Sequence, residues 1–181
     1  MIRRAFLALF ALPATAAAQD LFAVKPITKA AGEGDEEKVR QLLLKGENPN
    51  QADSSGQPLL MVAVLAGNIA VVEALLKSGA AADAVDREGY TSLLRAAEKG
   101  DVDMVEILLR RNAKANAQNR QGMTPLILAS RRGYPEVVKL LLDKKADPNM
   151  ADFTGRKPLY YARQSGRTTI EAMLRRAGGR E

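Results

Sequence analysis

The chain has 181 residues, enough for one ordinary domain, and carries 27 Lys and Arg against 21 Asp and Glu for a formal charge of +6. It has no cysteine and no histidine. That excludes disulfides, thiolate nucleophiles, Cys-based zinc sites, imidazole ligands and every Ser-His-Asp or Cys-His catalytic arrangement. An enzyme built on this chain would be left with carboxylates, Lys, Tyr or Ser, and the expectation is that it is not an enzyme. The bases are mixed with acids throughout, with no polybasic run, which argues against nucleic acid.

Residues 1–18 read as a signal peptide. Arg3 and Arg4 precede an apolar run from Ala5 to Leu12 that Pro13 ends, and Ala16-Ala17-Ala18 supplies a small-x-small cleavage signal, with Gln19 the first mature residue. The run is too short to span a bilayer, and its leading charges and trailing alanines fit export better than a buried helix. Arg3-Arg4-x-Phe6-Leu7 resembles part of a twin-arginine signal, but the usual preceding Ser or Thr and following Lys are missing, so Sec export fits better than Tat. The expected product is periplasmic or secreted, of Gram-negative type, with no stable membrane insertion after cleavage.

From residue 19 onward a step of 33 residues governs the chain. Asp53-x-x-Gly56, Asp86-x-x-Gly89, Asn119-x-x-Gly122 and Asp152-x-x-Gly155 recur in phase, and so do Gly34, Gly67, Gly100, Gly133 and Gly166. A fixed period of this length means stacked units, each too small to bury its apolar face alone. The units are 19–52, 53–85, 86–118, 119–151 and 152–181, the first and last being caps. With the Asp of Asp-x-x-Gly as position 1, Gly at position 4 suits a tight turn. Pro26, Pro125 and Pro158 at position 7 open a first helix. Ala30, Ala63, Ala96, Ala129 and Ala162 at position 11 let neighbouring helices approach closely. Gly at position 15 caps that helix. A second helix follows, apolar at i and i+4 through Val71, Val72, Leu75 and Leu76 and their counterparts. It ends near position 27 on Gly46, Gly79, Asn112, Lys145 and Gly178, where a left-handed residue is expected and Lys145 is the misfit.

The ends look like caps. Asp20 keeps the phase, but Ala23 replaces the turn glycine, and Glu36, Glu37, Lys38, Arg40 and Gln41 surround the apolar residues of the first unit's second helix. In the last unit Glu171 and Arg175 stand where inner units have Val and Leu. Polar outer faces stop such a stack from growing.

Thr124-Pro125-Leu126-Ile127, Gly-x-x-x-Val-Val, Leu-Leu-Leu and Ala146-Asp147-Pro148-Asn149 together resemble the ankyrin repeat. Thr91-Ser92-Leu93-Leu94 and Lys157-Pro158-Leu159-Tyr160 match the same tetrapeptide in part. The family histidine is replaced by Met61, Leu94, Ile127 and Tyr160, so its hydrogen bond to the Thr is lost and looser local order is expected. The resemblance implies an all-α solenoid of about five helix-turn-helix units with polar capping units. It also implies a non-enzymatic protein-protein interaction module: an adaptor, chaperone-like partner or inhibitor. Small exported bacterial proteins similar to this one are tied in some lineages to peroxide defence as companions of catalase.

In proteins similar to this one the partner docks on turn tips and first helices. Carried over, those positions give Arg87, Tyr90, Arg120, Met123, Arg131, Arg132, Phe153 and Arg156 as the partner-binding set. Tyr90, Met123 and Phe153 are large apolar side chains at tips that need no core residue, and the arginines would suit an acidic protein surface. A solvated face and tip-to-tip packing are the plain alternatives. A haem or small-molecule carrier is a second reading through Tyr160 and Tyr161, although packing under the last unit accounts for both. A carboxylate-based enzyme is a third, needing a closed pocket that a thin solenoid seldom forms. No cofactor or metal is expected, since Asp83, Asp86 and Asp152 lack the ligand density of an oxygen cage and read as turn caps.

Overall fold

The computed structural model describes residues 25–181. The export segment, its cleavage point, Asp20 and Ala23 lie outside the described residues. Among the described residues ten α-helices follow in pairs: α1 (Pro26–Glu33) and α2 (Glu36–Leu44), α3 (Leu59–Ala66) and α4 (Ile69–Lys77), α5 (Ser92–Lys99) and α6 (Val102–Arg110), α7 (Pro125–Arg132) and α8 (Pro135–Asp143), α9 (Pro158–Gln164) and α10 (Thr168–Arg176). Only two isolated antiparallel bridges, Ala52 to Pro58 and Val85 to Thr91, interrupt the helical character of the described residues.

Each pair forms for local reasons. Thr91 and Thr124 cap α5 and α7 by accepting the N–H of Leu94 and Ile127 at 3.3 and 3.1 Å. Asp35, Asn68 and Asp101 do the same for α2, α4 and α6. Gly34, Gly67, Gly100 and Gly133 end the first helices in the left-handed conformation. The second helices end on residues with positive φ as well, including Asn112 at 61° and Lys145 at 62°.

First helices pack on first helices and second on second, giving two layers. The first helices carry the fully buried Ala63, Ala96, Ala129 and Ala162. Small side chains let that layer pack more closely than the layer of second helices. Between the layers runs one continuous core, from Ile27 through Leu75, Leu93 and Leu108 to Ile170 and Leu174. Its ends are thin. α2 buries only Val39, and α10 only Ile170 and Leu174, whereas α6 buries five residues. Glu171 and Arg175 form an outward ion pair at 2.7 Å.

The units are also stitched through the loops that lead from each second helix to the next tip. Asn50, Asp83, Asn116 and Asn149 each accept the N–H of the residue 31 positions later, Ala81, Lys114, Asp147 and Arg180, at 2.7–2.9 Å. Asp83 is therefore not a turn cap of its own unit, as expected from sequence, but a bridge to the next. The missing family histidine leaves no gap. Met61, Leu94 and Ile127 in its place are fully buried, so packing substitutes for the hydrogen bond and the Thr caps persist. Tyr160 departs from the expected core role. It is 38% exposed, on the outer side of the last of the first helices.

Candidate functional site

The turn tips are built alike. One oxygen of Asp53, Asp86, Asn119 or Asp152 accepts backbone N–H groups two and four residues later, at 2.8–3.0 Å, which closes the turn around the glycine. Successive tips are then tied together, Arg120 N–H to the Glu88 carbonyl at 3.2 Å and Phe153 N–H to the Gln121 carbonyl at 3.1 Å. The Phe153 ring lies over Gly122, where a Cβ would come within 2.7 Å of it. Only glycine allows that approach.

The structure separates the eight sequence-predicted residues into three groups. Arg87, Arg120, Arg156 and Phe153 are exposed on the tips, Phe153 at 70%. None of these three arginines forms an ion pair among the described residues, although Arg87 reaches the Ser54 carbonyl at 3.4 Å. Arg131 and Arg132 stand on α7 but both hold Glu98 of α5, at 3.4 and 2.9 Å. Tyr90 and Met123 form the third group. Met123 is only 6% exposed and sits in a small apolar cluster with Leu94, Ile127 and Leu128, which Tyr90 and Tyr161 flank. The expectation that Met123 is a free tip residue is thus corrected. The tip turns inward at position 5 in this unit, and Met123 fills the space between first helices.

A cleft of about 440 Å³ opens above that cluster, lined among others by Glu88, Tyr90, Gln121, Arg131, Asp152 and Arg156. Its charges are largely self-satisfied. Arg95 contacts Asp86 at 2.6 Å, Glu88 at 3.1 Å and Glu98 at 3.8 Å, and its guanidinium lies 3.6 Å from the centre of the Tyr90 ring. Together with Arg131 and Arg132 this makes three arginines against three carboxylates. Burial acts to raise the Asp86 carboxyl, but hydrogen bonds from Arg95, Tyr90 N–H and Glu88 N–H outweigh it and hold it below its ordinary value. At Asp152 burial is likewise outweighed, by the hydroxyls of Thr154 and Tyr161 and the N–H groups of Arg156 and Thr154, and the carboxyl falls to about 2. The Tyr161 hydroxyl donates to Asp152 at 2.5 Å, and burial together with that carboxylate raises its pKa. This binds Tyr161 into the wall of the cleft. Among the described residues no cluster of three or more Asp or Glu is placed to hold a metal ion, and no helix is long and apolar enough to cross a membrane.

Arg95, Asp152 and Tyr161 shape this surface without following from sequence as partner-binding, and Glu98, which does fall on a first-helix position that faces a partner in similar proteins, acts as the counter-ion of Arg131 and Arg132. A signal existed for two of them. Position 10 carries a polar group in units 3 and 5, Arg95 and Tyr161, nine residues after an Asp at position 1. In unit 4 the same two positions are Asn119 and Leu128, and the Asn119 side-chain nitrogen has no partner.

The family model for ankyrin repeats (3 copies) matches residues 27–119 and 108–179. No curated protein matches the chain.

Proposed function

The chain belongs to the ankyrin-repeat family, whose repeats are protein–protein interaction modules, and on that footing we propose that it is an exported adaptor, chaperone-like partner or inhibitor that holds another protein against its tips. The observation that carries this is the exposed Phe153 beside Arg87, Arg120 and Arg156, none of which forms an ion pair among the described residues, on a row of tips tied by backbone hydrogen bonds. An exposed aromatic beside arginines has the make-up of an interface hot spot. Net positive charge at the tips, next to a neutralised cleft, fits a partner with an acidic rim around an apolar pocket. Export rests on Arg3, Arg4 and the Ala16-Ala17-Ala18 signal. The resemblance to small exported proteins extends the proposal to peroxide defence, and a deletion strain that survives peroxide like its parent removes that extension.

The test is affinity capture from periplasmic extract with the native chain beside an Arg120→Glu/Phe153→Ala chain, both read by mass spectrometry. Proteins retained by the first and lost by the second support the reading. Identical sets on both would sink it, provided the variant keeps the native circular dichroism.

A further inference from the structure

The second helices end in one row, because a ladder of hydrogen bonds ties each end to the loop that leaves the helix before it. Ala81, Lys114, Asp147 and Arg180, all at position 29, donate their N–H to Asn50, Asp83, Asn116 and Asn149 of the preceding units. Asn50 and Asn149 also donate to the Gly79 and Gly178 carbonyls at position 27. Packed helices lie about 8–10 Å apart, so five ends make a row roughly 30–40 Å long. Positions 25 to 29 of the five units hold nine cations against three acids, so these 25 residues carry as much net charge as the whole chain, +6. Lys45, Arg111, Lys114, Lys144, Lys145 and Arg176 are exposed and form no ion pair among the described residues.

A cation in the last turn of a helix offsets the negative end of its dipole, and that accounts for Lys77, Arg110 and Arg176. It does not account for Lys114 and Arg180, which follow their helices, or for Lys145. Lys145 stands at φ 62°, where the other four units place glycine or asparagine. A strained backbone kept where glycine would relieve it points to a use for the side chain. One place in the row is apolar. Position 25 is charged as Lys77, Arg110, Asp143 and Arg176, but in the first unit it is Leu44, 89% exposed. Leu44 and the half-buried Leu43 line a shallow cleft of about 220 Å³ with Arg40, Lys77 and Ser78 at its rim. A soluble polyanion has no use for an exposed leucine among cations. A bilayer does, since its headgroups take the cations while the leucine reaches the boundary with the acyl chains.

We propose that this row of helix ends is a peripheral docking surface for an anionic lipid bilayer, on which Lys and Arg meet headgroup phosphates and Leu44 enters the headgroup layer. The contact is one of surface, because no helix among the described residues is long and apolar enough to cross a membrane. The helix-end row shares no residue with the tip row and does not depend on the reading given for it.

The test is co-sedimentation of the chain that begins at Gln19, the form expected after cleavage, with vesicles of equal parts phosphatidylglycerol and phosphatidylcholine, beside vesicles of phosphatidylcholine alone. Binding is expected on the anionic vesicles only, and to weaken steeply toward about 0.5 M salt. Each Lys or Arg near such a surface is worth about fivefold, so Lys144→Glu/Lys145→Glu should weaken binding more than tenfold. Arg87→Glu/Arg120→Glu removes the same net charge at the tips and should leave binding near the native value. Leu44→Asn should weaken it severalfold. Lys145→Gly separates use from fold, since it should weaken binding about fivefold while raising the melting temperature. Equal binding to both kinds of vesicle overturns the proposal. So does equal weakening by the helix-end and tip variants, which would mean that net charge alone governs. Polyphosphate bound as tightly as the anionic vesicles, by the native and Leu44→Asn chains alike, would make this a general polyanion site and overturns it too. A Lys144→Glu/Lys145→Glu chain with native circular dichroism and native vesicle binding overturns it outright.

Discussion

Lys145 holds φ at 62° where three of the other four units place glycine. An L residue in the left-handed region costs roughly 1 kcal/mol, because its Cβ crowds the following carbonyl. Lys145 is exposed, so no contact offsets that cost. Lys145→Gly is expected to raise the melting temperature by about 2–4 °C. A fall in thermal denaturation would show that the lost Lys side chain, or the greater freedom of glycine in the unfolded chain, outweighs the strain. Asp152 gives a second prediction. Its carboxyl titrates at about 2 in the folded chain, below the value near 4 of an unfolded Asp. A depressed acid stabilises the fold above the unfolded pKa, and that stability is lost as pH falls through the folded one. The native chain should therefore lose stability between about pH 4 and pH 2 at this residue. Asp152→Asn keeps the oxygen that accepts the tip N–H groups, as Asn119 does one unit earlier. The variant should be less stable near neutrality by about 1–2 kcal/mol after solvent screening, with a flatter acid limb. Parallel acid limbs in pH-dependent denaturation would show that Asp152 is not held low.

The turns and the ends of the first helices were the most legible part of the sequence, because the glycines at positions 4 and 15 and the Asp or Asn at position 1 fix them by local chemistry alone. What the period could not show is which side chain of one unit lies on the turn of the next. Tyr134 illustrates this. It precedes α8, and its ring covers Gly100 at the end of α5, where a Cβ would come within 2.7 Å of the ring. Gly67 holds the same position one unit earlier, with open space where its Cβ would be. Both glycines have φ near 75–80°, so alanine costs roughly 1–2 kcal/mol at either from backbone strain. At Gly100 the ring must also move, and Tyr134 is packed against the main core. Gly100→Ala is expected to cost about 1–3 kcal/mol more than Gly67→Ala in chemical denaturation. Equal costs would mean that the Tyr134 ring turns aside freely.

At the scale of the whole molecule the charge pattern, not the fold, is where sequence and structure part. Counting arginines on one face predicted a basic surface running from the tips onto the first helices. Arg131 and Arg132 do lie on that face, but Glu98 stands 33 and 34 residues before them on the neighbouring helix and holds both. Among the described residues the tip arginines have no carboxylate partner, so the positive field is displaced from α7 to the edge formed by Arg87, Arg120 and Arg156. The separation of one repeat was visible in the sequence. Which of several long side chains would close that gap was not, since it depends on rotamers and on Arg95 approaching the same carboxylate from its own helix. Glu98 is thus the internal counter-ion of the face, and removing its charge should restore what the sequence alone predicts. Glu98→Gln raises net charge by one and frees two guanidiniums. Exposed pairs of this kind are worth up to about 1 kcal/mol each, so the fold should survive with a small loss of thermal stability. Association with an anionic probe such as polyglutamate should become severalfold faster at low salt, as electrostatic steering predicts. The gain should vanish near 0.5 M salt, where the Debye length falls to about 4 Å and fields between units no longer reach the solvent. Stopped-flow traces that coincide for the native and Glu98→Gln chains at low salt would show that Arg131 and Arg132 were never held back by Glu98. The tips and α7 would then act as one basic face after all.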